Sequence, residues 1–277
     1  MNVDNKEFHS SKLKRKNGMS VKKHVFSGMI STLTIVRYPK WLAWAGFLSM
    51  AIFRLPLWLN RNIAFWKLMG SGKNGSFDKT PDFRQWAIIC SYPDFDQAIL
   101  DQQLNDHDLL LKQVYGSFIV GWWRFWHCEK WTILLEAIEG HGSWDGKEVF
   151  GELAKNTDYD GQIAILTRAT IRLNKLNQFW LNVAPVASRL NEAKGFICSF
   201  GIGEVPWVKQ ATFSIWESKT AMRDFAYKMQ EHATVIQKTK KENWYSEEMF
   251  VRFKPIVSMG SLKGIDPIKI KPYLANN

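Results

Sequence analysis

The 277 residues, 46% of them hydrophobic and 14% aromatic, suffice for one large domain or for two similar halves around a substantial core. The net charge of +11 suits nucleic acid, an anionic membrane surface or an acidic cofactor group. No helix-turn-helix, zinc-finger or RNA-binding motif accompanies that charge, which argues against nucleic acid. Three widely spaced cysteines without a CxxC pair argue against a zinc site or a disulfide framework and favour reduced thiols in a cytoplasmic protein.

The first part of the chain alternates polar, apolar and glycine-rich segments. Residues 1–25 are polar and basic, which predicts a flexible leader rather than a secretory signal. Residues 41–59 predict a buried or interfacial helix, because the uninterrupted apolar run, 41–53, is shorter than the roughly 20 residues that span a bilayer. The remaining segments are predicted as strands over 28–38, 85–92 and 130–139, a glycine-rich connector over 65–77, and a helix after Pro93.

The pattern restarts near residue 160. The predicted elements are a strand over 162–171, a helix over 173–193, strands over 195–203 and 210–216, a helix over 218–242 and a strand over 250–257. This strand–helix–strand–strand–helix–strand order is that of a ferredoxin-like unit, and it also occurs, more loosely, before residue 160. We therefore predict an α+β protein with tandem ferredoxin-like halves, 26–158 and 159–277, whose sheets pack together or close into a barrel.

One histidine lies on the apolar face of a predicted helix. Met222, Phe225, Met229, His232 and Ile236 are separated by three or four residues and share one face. From its position, His232 is either a core histidine satisfied by one hydrogen bond or an axial ligand to haem iron. A lone histidine suits haem, whereas structural zinc needs more ligands.

Residues near this helix in sequence could complete a haem pocket. Flat rings come from Trp207, Phe213 and Trp216, and cations that could pair with propionates include Lys209 and Arg252. Each has a simpler interpretation, the aromatics as core and the cations as a solvated face. No HExxH motif, phosphate-binding loop or serine-hydrolase elbow is present.

Several ordered segments resemble one known family. They are Phe65-Trp-Lys-Leu-Met-Gly-Ser-Gly72, Ala164-Ile-Leu-Thr-Arg-Ala-Thr-Ile171, Gly201-Ile-Gly-Glu-Val-Pro-Trp-Val-Lys-Gln-Ala-Thr-Phe-Ser-Ile-Trp216 and Trp244-Tyr-Ser-Glu-Glu-Met-Phe-Val-Arg-Phe253. Across about residues 33–260 the chain resembles the spheroidene monooxygenases, the haem-containing acyclic carotenoid 2-ketolases. The leader through Val25 does not match that family's pattern.

The resemblance implies a fold of the dimeric-α/β-barrel type, a b-type haem, molecular oxygen and an external reductant such as ferredoxin. It implies His232 as the proximal iron ligand. For a catalytic group near bound oxygen we select Arg168, because it interrupts an otherwise apolar strand. The alternative for Arg168 is an outward-facing, solvated arginine.

Together these observations predict a haem-dependent monooxygenase that ketolates a long apolar substrate such as an acyclic carotenoid. The protein is expected in the cytoplasm, with contact to the inner face of the membrane through the leader and helix 41–59. One alternative is a non-catalytic haem- or lipid-binding α/β barrel at the membrane surface. Another is a membrane-surface interaction protein whose aromatic residues are only core.

Overall fold

The structure, a computed structural model, describes residues 28–73, 80–95, 106–190, 192–228, 238–239 and 241–268, without the side chains of 183–189 and 227–228. His232 and the basic leader therefore lie outside the described residues. So does most of the helix predicted after Pro93.

The first half has the order strand, helices, two strands, helices, strand. Its elements are β1 (Ile30–Arg37), α1 (Ala43–Ile52), α2 (Arg54–Leu59), β2 (Phe65–Gly72), β3 (Pro81–Tyr92), α3 (His107–Tyr115), α4 (Ser117–Phe125) and β4 (Glu129–Gly142). The break between α1 and α2 at Phe53 follows from Pro56, whose ring would clash with the carbonyl of Ile52 in a continuous helix.

The second half repeats this order. Its elements are β5 (Ile163–Ile171), α5 (Leu176–Leu190), β6 (Phe196–Val205), β7 (Lys209–Trp216), α6 (Lys219–Lys228) and β8 (Tyr245–Gly260). Short 3-10 turns precede α1 and α5. Residues 238, 239 and 241 are also helical, in the later part of the predicted helix 218–242.

The eight strands form one closed antiparallel barrel in the order β1-β3-β2-β6-β7-β5-β8-β4. Each half contributes a four-stranded sheet, and the halves meet at two unequal seams. The β4–β8 seam is long, from the Trp131–Gly260 pair to the Gly142–Met249 pair. The β2–β6 seam consists of the Gly70–Gly203 and Ser71–Ile202 pairs. This topology confirms the predicted fold class.

Side chains alternate between the barrel interior and an outer face that the helices cover. Buried apolar residues from both halves fill the interior, among them Leu33, Ile89, Ile133, Leu166, Phe213 and Val251. An eight-stranded barrel is just wide enough for such side chains to fill it. A ligand of any size must therefore lie outside the barrel wall or at one of its ends.

One of the sequence predictions in the first half was wrong. Residues 65–72 form strand β2 rather than a connector. A Cβ atom at its Gly70 would lie 3.6 Å from the Trp86 ring, an ordinary van der Waals distance, so the glycines of this segment are compatible with a strand and do not mark a loop. The aromatic residues before β4 lie in helix α4, which starts after Gly116 at φ 87°.

Candidate functional site

The outer face of the second-half sheet has a row of small residues across its middle. The register places Phe250, Thr167, Thr212 and Gly201 side by side on β8, β5, β7 and β6. Thr167 is exposed although its strand is central in the sheet, and the other three are only half-buried. We call these four residues the threonine row. Apart from the Phe250 ring the row consists of small side chains, and the described parts of α5 and α6 leave it uncovered.

Aromatic clusters flank the threonine row on both sides. Toward the start of β5, Trp216 packs against Phe196 and Phe225, with ring centroids 5.4 and 5.2 Å apart. Toward the end of β5, Phe179, Trp180 and Trp244 are buried around Ile171. The row thus lies between two aromatic clusters whose largest rings are buried in the fold.

Among the predicted cofactor residues, Trp216 and Arg252 lie on this outer face. Trp216 is 2% exposed, and its Nε1 donates to Ser214 Oγ at 3.0 Å. Arg252 lies over the Phe250 ring, 4.7 Å from its centroid, and is ion-paired with the fully buried Glu139. Burial lowers the pKa of Arg252. Its guanidinium is thus beside the row, but it already has an anionic partner.

The other predicted cofactor residues point elsewhere. Phe213 is fully buried in the barrel interior, on the opposite face of β7 from Trp216. Trp207 lies in the turn between β6 and β7, with φ 64° and 52% of its surface exposed. Lys209 begins β7 and its Nζ donates to Asp145 at 2.8 Å. The structure does not gather Trp207, Lys209, Phe213 and Trp216 around one site.

Arg168 faces the barrel interior, paired with Ala211 in register, and only 1% of its side chain is exposed. It is ion-paired with Glu247, and its Nη2 lies 3.5 Å from Glu204 and 3.6 Å from Asp145. The guanidinium also lies over the Trp144 ring, 5.4 Å from the centroid. The alternative of a solvated, outward-facing arginine is therefore wrong, but Arg168 and the threonine row occupy opposite faces of β5.

The partners of Arg168 belong to a larger charge cluster at one end of the barrel. Lys67 of β2 lies 2.9 Å from Glu204 of β6 and also donates to Asp145. Burial raises the pKa of Asp145, but hydrogen bonds and charge from Lys209 and Lys67 outweigh it and bring the pKa to about 2. These ion pairs link β2 to β6 beyond their short ladder. We infer that the cluster holds this seam closed.

Sequence reasoning missed a second buried ion pair. Lys219, at the start of α6, lies 2.6 Å from Glu139, whose carboxylate also accepts from the backbone and hydroxyl of Thr157. The sequence feature that could have indicated this ion pair was Glu139, an acidic residue in a largely apolar strand. For the threonine row, the available signal was a set of small residues at alternate positions in β5, β6 and β7.

The described histidines are not arranged as metal ligands. His107, predicted at a polar helix surface, is half-buried, and its Nε2 lies 3.0 Å from Thr132 Oγ1. Burial and the neighbouring Lys130 lower its pKa to about 4. His127 and His141 are exposed. Within the described ranges, no cluster of three or more His, Cys, Asp or Glu side chains could hold a metal ion.

A cavity of about 310 Å³ opens at the end of the β4–β8 seam. Its lining comprises Gly140, His141, Gly142, Glu148, Phe150, Gly151, Glu152, Leu153 and Met249. None of the predicted site residues lines it. Two acidic side chains and three glycines make it a polar opening, so it suits a long apolar substrate less well than the threonine row.

Solved structures with a similar fold include an aldoxime dehydratase (8% identity, TM-score 0.52), which matches 82% of this chain and 81% of its own. An aldoxime dehydratase solved with butyraldoxime has TM-score 0.53 at 8% identity, over 82% of this chain and 79% of its own. At such identity the likeness concerns the fold alone. No protein-family model matches the chain.

Sequence relatives are much closer. The spheroidene monooxygenase of Rhodobacter capsulatus is 30% identical over 80% of this chain and 88% of its own length. That of Rubrivivax gelatinosus is 32% identical over 72% of each chain. That of Cereibacter sphaeroides is 33% identical over 74% of this chain, which spans only 59% of that relative's length. Identity and coverage of this extent show common descent, and the chain belongs to the spheroidene monooxygenase family.

Proposed function

We propose that this protein is a haem-dependent monooxygenase that oxygenates, and specifically ketolates, a long apolar substrate such as an acyclic carotenoid. Molecular oxygen is the co-substrate and a ferredoxin-type protein the reductant. Membership of a family whose named relatives are monooxygenases supports the reaction class. The observation that carries the proposal is the threonine row, a strip between two aromatic clusters that the described parts of α5 and α6 leave uncovered.

The threonine row fits a flat, largely apolar group. Thr167, Thr212 and Gly201 present little side-chain volume, and the row contains no charged side chain. His232, from its place on the apolar stripe of the predicted helix, is the proposed iron ligand. Arg252, beside the row, is the cation best placed to pair with a haem carboxylate. When bound, haem b supplies an iron centre that activates molecular oxygen.

The chain's own residues would provide a dry setting for that chemistry. The Trp216 and Trp244 clusters present apolar walls that exclude water, which protects a reactive centre from side reactions. The hydroxyl groups of Thr167 and Thr212 are the polar side-chain atoms of the row and can orient a bound oxygen atom by hydrogen bonding. We assign Arg168 a positioning role through the charge cluster, because its guanidinium lies on the interior face.

The binding part of the proposal is tested on purified full-length protein supplemented with haem. We expect a Soret band that shifts on reduction with dithionite and again on addition of carbon monoxide. His232→Ala should lower haem retention by roughly tenfold or more, because the iron loses its protein ligand. His127→Asn, at an exposed histidine with φ 49°, is the matched control and should retain haem.

A second variant tests the location without touching the iron ligand. Thr167→Trp places a large ring on the threonine row, and since Thr167 is exposed the barrel core should be undisturbed. Haem retention should fall by roughly tenfold while circular dichroism and the melting temperature stay unchanged. Thr167→Ser is the conservative control. Unchanged haem retention in both Thr167→Trp and His232→Ala would refute the proposed site.

The catalytic part needs a separate measurement. Haem-loaded protein with ferredoxin, a reducing system and an acyclic carotenoid should form a ketone in an oxygen-dependent manner. Haem binding without such a product would favour the alternative function, a haem- or lipid-binding barrel without turnover. A cytoplasmic location at the inner face of the membrane is part of the same proposal, and cell fractionation tests it.

A further inference from the structure

Helices α1 and α2 of the first half expose an unusual number of large apolar side chains. The exposed members are Trp41 (74%), Trp44 (56%), Phe47 (65%), Leu48 (41%), Leu55 (61%), Trp58 (73%) and Leu59 (60%). We call this set the α1–α2 face. Isolated exposed apolar residues are ordinary on soluble proteins, but a contiguous group of this kind marks an interaction surface.

The opposite side of the same helices is firmly packed. Ala45, Gly46 and Ser49 of α1 are buried, and a Cβ atom at Gly46 would lie 2.5 Å from Trp86 Nε1 of β3. Phe53 is buried against Trp122 and Trp123, with ring centroids 6.0 and 5.8 Å away. The helices thus have one side fixed to the barrel and the other directed to solvent.

The apolar surface continues onto helix α4. Trp44 contacts Trp126 with ring centroids 5.5 Å apart, and Trp126 contacts Phe125 at 4.6 Å. Phe125 is 71% exposed. The α1–α2 face and the end of α4 therefore form one surface built from two separate parts of the chain.

The segments that form this surface carry positive charge only. No Asp or Glu occurs in residues 38–77 or 109–128, which contain α1, α2 and α4. The exposed cations in the described residues of these segments are Lys40, Arg54, Arg61, Lys73, Lys112 and Arg124. Tryptophan-rich apolar surface with basic neighbours is the composition of proteins that lie in the interface of anionic membranes.

We propose that the α1–α2 face docks this protein on the surface of an anionic lipid bilayer, with the tryptophan rings at headgroup depth. The helices lie in the membrane interface rather than crossing it. The segment Lys40–Leu59 is long and apolar enough to span a bilayer. However, this segment is broken at Phe53 and packed on β3 along one side, so crossing the bilayer would require α1 to separate from the barrel. This inference rests on the surface alone and does not depend on haem binding.

The test uses full-length protein and vesicles of phosphatidylcholine alone or mixed with phosphatidylglycerol. Flotation should show binding that increases with phosphatidylglycerol content and weakens with added salt. The triple variant Trp41→Ser, Phe47→Ser, Trp58→Ser should lower the partition coefficient by more than about tenfold, because three large side chains no longer enter the interface. Leu173→Ser, Leu181→Ser, Ile265→Ser, at side chains 74%, 75% and 69% exposed, is the matched control and should bind normally.

Two further measurements separate this proposal from its rivals. Brominated lipids should quench the tryptophan fluorescence of the wild-type protein and quench that of the Trp41, Phe47, Trp58 variant much less. The triple variant Arg54→Gln, Arg61→Gln, Arg124→Gln should lose the preference for phosphatidylglycerol.

Equal vesicle binding by the wild type and the Trp41, Phe47, Trp58 variant would overturn the proposal. If that variant instead converted a dimer to a monomer in size-exclusion chromatography, the face would be an interface between copies of the chain. Haem retention should be the same in all these proteins, so failure here is distinct from failure of the haem site.

Discussion

The two halves have the same strand order but cover their outer faces differently. Thr34 and Thr167 are each the fifth residue of the first strand in their half, on the outer face of a central strand. Thr34 is fully buried and hydrogen-bonded to Thr132 and to Tyr115 of α3, both at 2.8 Å. Thr167 is exposed. Among the described residues, the repeated fold thus closes one sheet face and leaves Thr167 exposed on the equivalent face.

The helices above the first sheet explain the closed face. Tyr115 of α3 and Trp123 of α4 are 1% exposed, and their rings are 5.6 Å apart. They join Val36, Ile88, Cys90 and Leu134 of the sheet in one buried cluster. Above the second sheet, the described residues form two smaller clusters on either side of the threonine row. The outer face of the first sheet is therefore packed for stability, and the exposed side of helices α1 and α2 is the surface that we propose for docking.

The largest expected loss of stability comes from removing a buried ring from the closed outer face of the first sheet. Trp123→Ala removes a buried ring that packs on Phe53 and Tyr115, and the free energy of unfolding should fall by about 3–5 kcal/mol. Urea unfolding followed by circular dichroism measures this change. Leu181→Ala on α5, at a 75% exposed position, is the counterpart and should change it by less than about 0.5 kcal/mol. Equal losses of unfolding free energy in Trp123→Ala and Leu181→Ala would contradict the difference between the two outer faces.

The closed face should also make stability depend on pH through His107. Burial and Lys130 lower its folded-state pKa from 6.5 to about 4, so the unfolded chain takes up a proton first as the pH falls. The contribution of the neutral, buried His107 to the free energy of unfolding is fully present above pH 6.5 and is lost as the pH falls toward 4. It is on the order of 3 kcal/mol. Unfolding curves between these pH values measure it, and His107→Asn should flatten the dependence. A pH dependence that is unchanged in His107→Asn would assign it to other groups.

The smallest expected change in stability comes from substitutions at the equivalent positions Thr34 and Thr167. Thr34→Val keeps the shape of the side chain but deprives Tyr115 and Thr132 of a buried hydrogen-bond partner, which should cost about 1–3 kcal/mol of unfolding free energy. Thr167→Val should cost less than about 0.5 kcal/mol, because Thr167 is exposed. Thermal and urea unfolding of the two variants side by side provide the measurement. A larger loss for Thr167→Val would mean that the second-half face is closed.

Much of the fold could be predicted from local pattern. The β-branched strand over 28–38 and the apolar strand over 162–171 match β1 and β5 closely, since alternation and strand propensity are properties of neighbouring residues. Strand β2 was missed because its glycines suggest a loop locally, whereas its pairing with β3 depends on residues further along the chain. The opposite placement of Phe213 and Trp216 was already implied by their odd separation of three residues within one strand.

The candidate site was less accessible to sequence reasoning. The threonine row takes one residue from each of four strands, and only the register of the closed barrel aligns them. The sequence does show Arg168 as an unusual charge in an apolar strand, and its catalytic role stays a prediction. Its partners Glu204 and Glu247 lie on strands β6 and β8, and Asp145 in the loop after β4, so its role followed only from the fold. The part played by His232 stays a prediction.

By itself the sequence determined the family and most of the strands, because these depend on short-range periodicity and residue identity, and it predicted the apolar stripe that contains His232. The tertiary structure decided that Thr34 is buried and Thr167 exposed on equivalent faces, which ion pairs connect β2 to β6 at one end of the barrel, and that the apolar helices α1 and α2 lie against the barrel with one side exposed. Local periodicity fixes which side of an element is apolar. What that side meets depends on strands and helices far away in the chain.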